Sequence, residues 1–333
     1  FGVIFATGCV VLLCCVFLLW ALLYMPPDYI QVANVAAVID SKRPQEETSP
    51  QQLRRNPLLQ ATHDDEAQQA KARNTQLAAA VIAPRKIDPA IENMMVSKVV
   101  MYDTNVRKIK KNLPNKVFME TDETALAATK ELQDATRDLL YYRYGALEPY
   151  RIKFDLKFQR SQPTFATMGE KDSFVIELAP SALVPHSIYS FLEIARHFHL
   201  QKGAFHRRAD HVLQAMVKGH QVEHLAFQEY SPKFPHVKGT VGYAGRPSGP
   251  EFYVSIQNNV GNHGPGTQQA YNPHEADSCF GKVVEGFEEV VLKRITKMPG
   301  SGFLKPPMHV LIDAMTILVP DAHGEYQIWQ DHQ

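Results

Sequence analysis

The chain has 333 residues, and its 35 basic and 35 acidic side chains give a formal net charge of +0 at pH 7. This length allows one good-sized domain with extensions, or two small domains. The even charge balance argues against a nucleic-acid partner, because nucleic-acid-binding proteins normally carry a concentrated basic face.

Residues 1–25 contain no charged side chain. A helix of this length would cross the ~30 Å hydrocarbon layer, and a cleaved signal peptide would have a shorter apolar core. Trp20 and Tyr24 lie where interfacial aromatic residues are expected. A buried core helix is the other interpretation of such a run. We predict a transmembrane signal anchor, and we expect a single-pass protein of the endoplasmic reticulum or Golgi with a luminal C-terminal domain.

Residues 26–118 are predicted to form a low-complexity stalk. This segment is poor in aromatic residues, and residues 41–56 combine prolines with many charges, which is typical of a chain without a packed core. Residues 64–83 favour a helix, although its apolar stripe is thin. The expected function of the stalk is that of a spacer.

Residues 119–145 are predicted to form an amphipathic helix. Thr121 and Asp122 are capping residues, and Gly145 is a typical helix end. Its apolar residues recur every three or four positions, at Leu132, Ala135, Leu139 and Tyr142. Such a helix would dock on the globular domain or pair with a second copy.

The period changes to two from Tyr150 onward. Ile152, Phe154 and Leu156 alternate with charged residues, which predicts a half-buried strand. Further strands are expected over residues 173–178 and 310–319, and Pro185 begins a helix. Cys279 is the only cysteine of this region, so its fold must depend on a packed core. These features predict a mainly β domain over residues 146–320, namely a small closed barrel with flanking helices, followed by a tail at residues 321–333.

Two motifs within this domain occur in an informative order: Gly203-Ala204-Phe205-His206-Arg207 and then Cys279-Phe280-Gly281-Lys282-Val283-Val284-Glu285-Gly286. Together they resemble the cyclophilin family of peptidyl-prolyl cis-trans isomerases over residues 148–320. The resemblance implies an eight-stranded barrel, proline-containing polypeptides as substrates, and neither a cofactor nor a metal.

The resemblance also implies a set of site residues. Arg207 matches the catalytic arginine, Leu213 would line the proline pocket, and Gln214 would orient the arginine. Val212 replaces a phenylalanine of the family. The substrate-binding residues also include Ala244 and Gly245, which would present backbone groups.

The remaining predicted substrate-binding residues are less similar to the family. Glu251 takes the place of a glutamine and Tyr253 that of the phenylalanine at the pocket floor. Asp277 stands where the family has a histidine, and His274 or His263 would have to supply that group. The only tryptophans, Trp20 and Trp329, lie near the ends of the chain, so weak or no cyclosporin binding is expected.

Two functions remain open on the sequence alone. The chain is either a membrane-anchored isomerase that assists folding, or a cyclophilin-like module that binds proline-containing segments with little turnover. Arg207 favours the first function, whereas Val212, Glu251, Tyr253 and Asp277 favour the second.

Overall fold

The computed structural model describes residues 87–158, 172–219, 223–267 and 272–330. The predicted signal anchor at residues 1–25 and most of the predicted stalk lie outside these ranges. Within them, no helix is both long enough and apolar enough to cross a membrane.

Eight antiparallel strands close into a barrel. The order around the barrel is β9-β1-β2-β7-β5-β6-β4-β3, and β3 pairs again with β9. The short strands β8 and β10 extend the sheet beside β3 and β9. The ten strands are β1 Arg151–Lys157, β2 Ser173–Leu178, β3 Lys202–Arg208, β4 Val212–Lys218, β5 Thr240–Tyr243, β6 Phe252–Ser255, β7 Cys279–Glu285, β8 Gly302–Phe303, β9 Val310–Pro320 and β10 Tyr326–Ile328. The predicted closed eight-stranded barrel is confirmed.

Aromatic side chains fill the barrel interior. Phe154 of β1 and Phe174 of β2 stack with ring centroids 4.8 Å apart. The helix α3 (Pro185–Arg196) contributes Phe191, whose ring lies 4.5 Å from that of Phe280 and 5.1 Å from that of Phe252. The two-residue alternation along β1 therefore predicted its buried face correctly.

The predicted helix over residues 119–145 is present as α2 (Glu123–Tyr144). The Asp122 carboxylate accepts a hydrogen bond from the Ala125 amide at 2.9 Å, and Gly145 follows the last turn with a φ of 90°. Leu132 and Leu139 are fully buried. The helix packs against α3, so it docks on the barrel domain.

An additional helix, α1 (Pro89–Asn112), lies within the segment that was predicted as a spacer. It packs against α2 through Val99 and Val106. The spacer prediction is therefore wrong for residues 89–112. Only these two residues of the helix are buried. A helix with so narrow an apolar stripe cannot be distinguished, from its sequence, from a fully solvated helix.

One buried arginine joins three helices. Arg143 of α2 donates to the Glu92 carboxylate of α1 at 2.6 Å and to the Glu193 carboxylate of α3 at 2.5 Å. Its side chain is 2% exposed. Because a charge at this depth needs opposite charges beside it, α1 is an integral part of the folded unit.

Candidate functional site

A β-bulge places Arg207 on the outer surface of the barrel. Phe205 pairs with Ala215, whereas Arg207 pairs with Gln214, so His206 is an extra residue between the two pairs. Phe205 points into the core. Bulges of this kind re-aim a side chain, and here Arg207 lies beside Gln214 on the outer face.

Arg207 is positioned by a chain of polar side chains. Its Nη1 donates to Gln214 Oε1 at 2.7 Å, and Gln214 Nε2 donates to Glu251 Oε2. Glu251 therefore reaches Arg207 through Gln214. Because Gln214 is hydrogen-bonded to Arg207 on one side and to Glu251 on the other, it fixes the position of the guanidinium. The N–H donors of a guanidinium are themselves rigidly arranged.

Two aromatic rings lie next to the guanidinium. Phe303 of β8 is 72% exposed, and its ring centroid lies 5.4 Å from Arg207 Cζ. The His206 ring is stacked 5.7 Å from that of Phe303, and its Nε2 lies 3.7 Å from Glu251 Oε2. Burial lowers the pKa of His206 below its usual value, so the imidazole is neutral at pH 7.

Leu213 does not line the site. It belongs to the core cluster together with Ala215 and Val217. Because side chains alternate along a strand, Val212 is the β4 residue that shares the outer face with Gln214. The predicted pocket role of Leu213 is therefore wrong.

Tyr253 lies directly opposite Gln214 in the β4–β6 pair, yet it is only 1% exposed. Its ring stacks on His263 with centroids 4.4 Å apart and an interplanar angle of 27°. Its phenol end packs against Gly242, where a methyl group would lie 2.8 Å from the hydroxyl oxygen. The ring predicted as the pocket floor is thus covered.

A buried polar network surrounds Tyr253. Its hydroxyl lies 3.3 Å from Asp277 Oδ2 and 3.2 Å from His236 Nδ1. Burial raises the pKa of Tyr253 above its usual value and lowers that of His236 to about 4. The phenol and the imidazole are therefore both neutral at pH 7.

Asp277 joins the other members of this network. His263 Nδ1 lies 2.6 Å from Asp277 Oδ2, and Arg246 Nε donates to Asp277 Oδ1 at 3.0 Å. Arg246 also contacts Glu275 at 3.1 Å. A network of charged and hydrogen-bonded side chains thus surrounds the Tyr253 hydroxyl group.

Of the two histidines considered in the sequence, only His263 joins this network. It ends the short helix α4 (Val260–His263). His274 is exposed, and its ring lies 6.0 Å from that of Phe118. The prediction that His274 binds substrate therefore has no support from its position.

The loop at Ala244 and Gly245 uses its backbone groups internally. The Ala244 amide donates to the Glu251 carbonyl at 2.8 Å, and the Ala244 carbonyl accepts from the Gly249 amide at 3.0 Å. Gly245 has a φ of 89°, a conformation that favours glycine. At Ala244, a substrate would have to compete with these bonds.

Three residues of this region were not predicted from the sequence: His236, Arg246 and Phe303. His236 and Arg246 lie in the loops before and after β5, 41 and 31 positions from Asp277, and no local pattern links them to it. Phe303 lies on a two-residue strand, which is too short to show a period. Only its position before the last barrel strand would have placed it near β3.

The strand topology and the motif positions agree with the expected architecture. Phe205-His206-Arg207 lies on β3, and Phe280-Gly281-Lys282 lies on β7 of a closed eight-stranded antiparallel barrel. The fold is cyclophilin-like. No family model matches the chain, and no curated protein matches it.

Two solved structures are similar to the chain over its cyclophilin-like part. One is a cyclophilin type peptidyl-prolyl cis-trans isomerase from Cryptosporidium parvum, with 15% identity and a TM-score of 0.36 over 51% of this chain and 98% of that chain. The other was determined in the presence of the dipeptide Ala-Pro, with 16% identity and a TM-score of 0.33 over 50% of this chain and 97% of that chain.

Proposed function

We propose that this chain is a peptidyl-prolyl cis-trans isomerase in which Arg207 is the catalytic residue. Rotation about an X-Pro bond has a barrier of roughly 18–20 kcal/mol, because the amide has partial double-bond character. Lowering this barrier needs no nucleophile and no metal. It needs a donor that stabilises the prolyl nitrogen when its lone pair has left resonance.

The observation that supports this proposal is the fixed guanidinium. Arg207 is held through Gln214 and Glu251 on the outer face of the barrel, and this hydrogen bond uses one of its five N–H donors. A hydrogen bond with a charged partner is worth about 1.5–3 kcal/mol. Made only in the twisted state, it would raise the rate by roughly 10- to 100-fold.

The test is an X-Pro exchange assay on the 333-residue chain and its Arg207→Ala variant. We expect the catalysed rate to fall by roughly 10- to 100-fold on losing that hydrogen bond. Arg137→Ala is the matched control, because Arg137 pairs with Asp134 on α2, away from β3. Equal catalysed rates for the wild type and Arg207→Ala would refute the assignment.

A second candidate function is proline-segment binding without useful turnover. The covered ring of Tyr253 and the charged network around Asp277 favour it. In that case the wild type and Arg207→Ala would both show the uncatalysed exchange rate, while calorimetry would still detect binding of proline-containing peptides.

We also propose a membrane location and a topology for the protein. Residues 1–25 would anchor the chain in the membrane of the endoplasmic reticulum or Golgi, and the barrel would act on proline-containing polypeptides in the lumen. The support is the charge-free apolar run. Protease protection of the C-terminal half in sealed vesicles tests the topology, and digestion in intact vesicles would exclude a luminal barrel.

A further inference from the structure

We propose that the His263 side chain occupies the proline-binding position of this barrel and that a prolyl ring binds only when His263 leaves it. The inference depends on the proposed function in one respect, namely that Tyr253 is the floor of the proline site. It concerns how that site is regulated, and it holds for either an isomerase or a binding module.

The size and position of the His263 ring match those expected of a bound prolyl ring. The imidazole of His263 is a planar five-membered ring, close in size to the pyrrolidine ring of proline. It lies 4.4 Å from the Tyr253 ring at an angle of 27°, which is a stacked arrangement. An aromatic surface is also what a prolyl ring packs against, so one face of Tyr253 cannot accept both rings.

Both rings are buried in the folded chain. Tyr253 is 1% exposed and His263 is 6% exposed. The phenol end of Tyr253 is closed by Gly242. A floor residue that is open to substrate would keep an accessible face, whereas this one is covered by a side chain of the same molecule.

Specific contacts hold His263 in place. Its Nδ1 lies 2.6 Å from Asp277 Oδ2, and its carbonyl accepts from the Asp277 amide at 2.9 Å. The residue belongs to a helix of a single turn that contains Gly261, where a side chain would meet nothing within 4 Å. The contact with the Asp277 carboxylate holds the imidazole over Tyr253, and a side-chain rotation of His263 that breaks this contact would uncover the tyrosine ring.

The expected effect follows from the competition between the two rings. When only a fraction of molecules is competent to bind, the apparent dissociation constant rises by the inverse of that fraction. If His263 is displaced in about a tenth of the molecules, its removal raises the apparent affinity about tenfold.

The first experiment uses His263→Ala combined with Asp277→Asn in the full chain, so that no ionised oxygen of Asp277 faces the space that the imidazole leaves. Binding of the peptide Ala-Ala-Pro-Phe is measured by calorimetry beside the wild type, with the exposed His199→Ala as the matched control. We expect about tenfold or greater tightening in the double variant, and none in the control. Unchanged or weaker binding by a folded double variant would overturn the proposal.

The second measurement does not depend on the folding of a variant. The ring-proton resonances of His263 in the wild-type chain, assigned with His263→Gln, are followed by NMR while Ala-Ala-Pro-Phe is added to saturation. Displacement from Tyr253 removes the ring-current shift, so we expect these resonances to move. Saturation without such movement would overturn the proposal.

The two proposals can fail separately. Tighter binding by the double variant, with exchange rates independent of Arg207, would support the role of His263 and refute isomerase function. Arg207-dependent catalysis, together with unchanged binding by the double variant, would give the opposite result.

Discussion

Gln214 is the residue on which the position of Arg207 depends. We expect Gln214→Leu to lower kcat/KM for X-Pro exchange about tenfold, because the loss of one charged hydrogen bond of roughly 1.5 kcal/mol corresponds to that factor. The exchange assay measures the change. Gln228→Leu is not a suitable control, because Gln228 accepts from the Ser248 amide within the core; the exposed Gln327→Leu is suitable. Full activity of Gln214→Leu would show that Arg207 does not need this support.

Tyr253 contributes to stability through its hydroxyl group. Tyr253→Phe removes the contacts to Asp277 and His236 and leaves buried polar atoms with fewer partners. We expect the free energy of unfolding to fall by about 1–3 kcal/mol, as measured by urea denaturation. Tyr326→Phe, which loses a less buried hydrogen bond to the Pro149 carbonyl, is the control. No difference between the two variants would contradict the role of the network.

Two buried histidines predict a loss of stability in acid. Burial lowers the pKa of His186 and of His236 to about 4 in the folded chain, whereas unfolded histidine titrates near 6.5. Between these pH values the unfolded state binds more protons, so the free energy of unfolding decreases as the pH falls from 6.5 to 4.

The matched pair for this prediction is His186→Leu and the exposed His199→Leu. We expect His186→Leu to remove a pH-dependent loss on the order of 3 kcal/mol, and His199→Leu to leave the profile unchanged. Denaturation curves at several pH values measure both. Identical profiles for His186→Leu and the wild type would refute this assignment.

Arg143 joins three helices, and its substitution tests how much this contact stabilises the fold. Arg143→Met leaves the Glu92 carboxylate without its buried partner and leaves Glu193 with Arg196, whose Nη1 lies 3.7 Å away. We expect a loss of about 3 kcal/mol in the free energy of unfolding. Arg137→Met breaks only a partly exposed pair with Asp134 and is expected to cost less than about 1 kcal/mol. Equal effects of the two substitutions would contradict the integral role of α1.

The regular elements were predictable from sequence because their signals are local. The two-residue alternation of apolar and charged residues predicted β1, and a capping aspartate followed by an apolar stripe predicted α2. The error at Leu213 has a clear cause: once Gln214 is assigned to the outer face, alternation requires Leu213 to point inward. Helix α1 was missed because its buried stripe is visible only with its partner helix in place.

The charged network was not predictable in the same way. The network draws on separate segments of the chain, through His236, Arg246, His263 and Asp277. Only the packing of the two rings shows that His263 stacks on Tyr253, whereas His274 lies near Phe118. The spacing of the two histidines in the sequence does not predict this packing.

At the scale of the whole molecule, the absence of a barrel tryptophan predicts weak cyclosporin binding. Trp329 packs against Tyr144 with ring centroids 4.9 Å apart, and its indole donates to the Arg143 carbonyl. It is therefore committed to the helical side of the molecule. Calorimetric titration of the full chain measures this binding, and sub-micromolar affinity would contradict the prediction.

The salt bridges of Arg143 also determine where the chain can be shortened. A fragment that starts at the first barrel strand would remove Arg143 from Glu193 and would remove the helix α2 that packs against α3. A fragment that ends before Trp329 would uncover Tyr144. A shortened form for assay and crystallisation should therefore start before Asp88, whose carboxylate caps α1, and should retain Trp329.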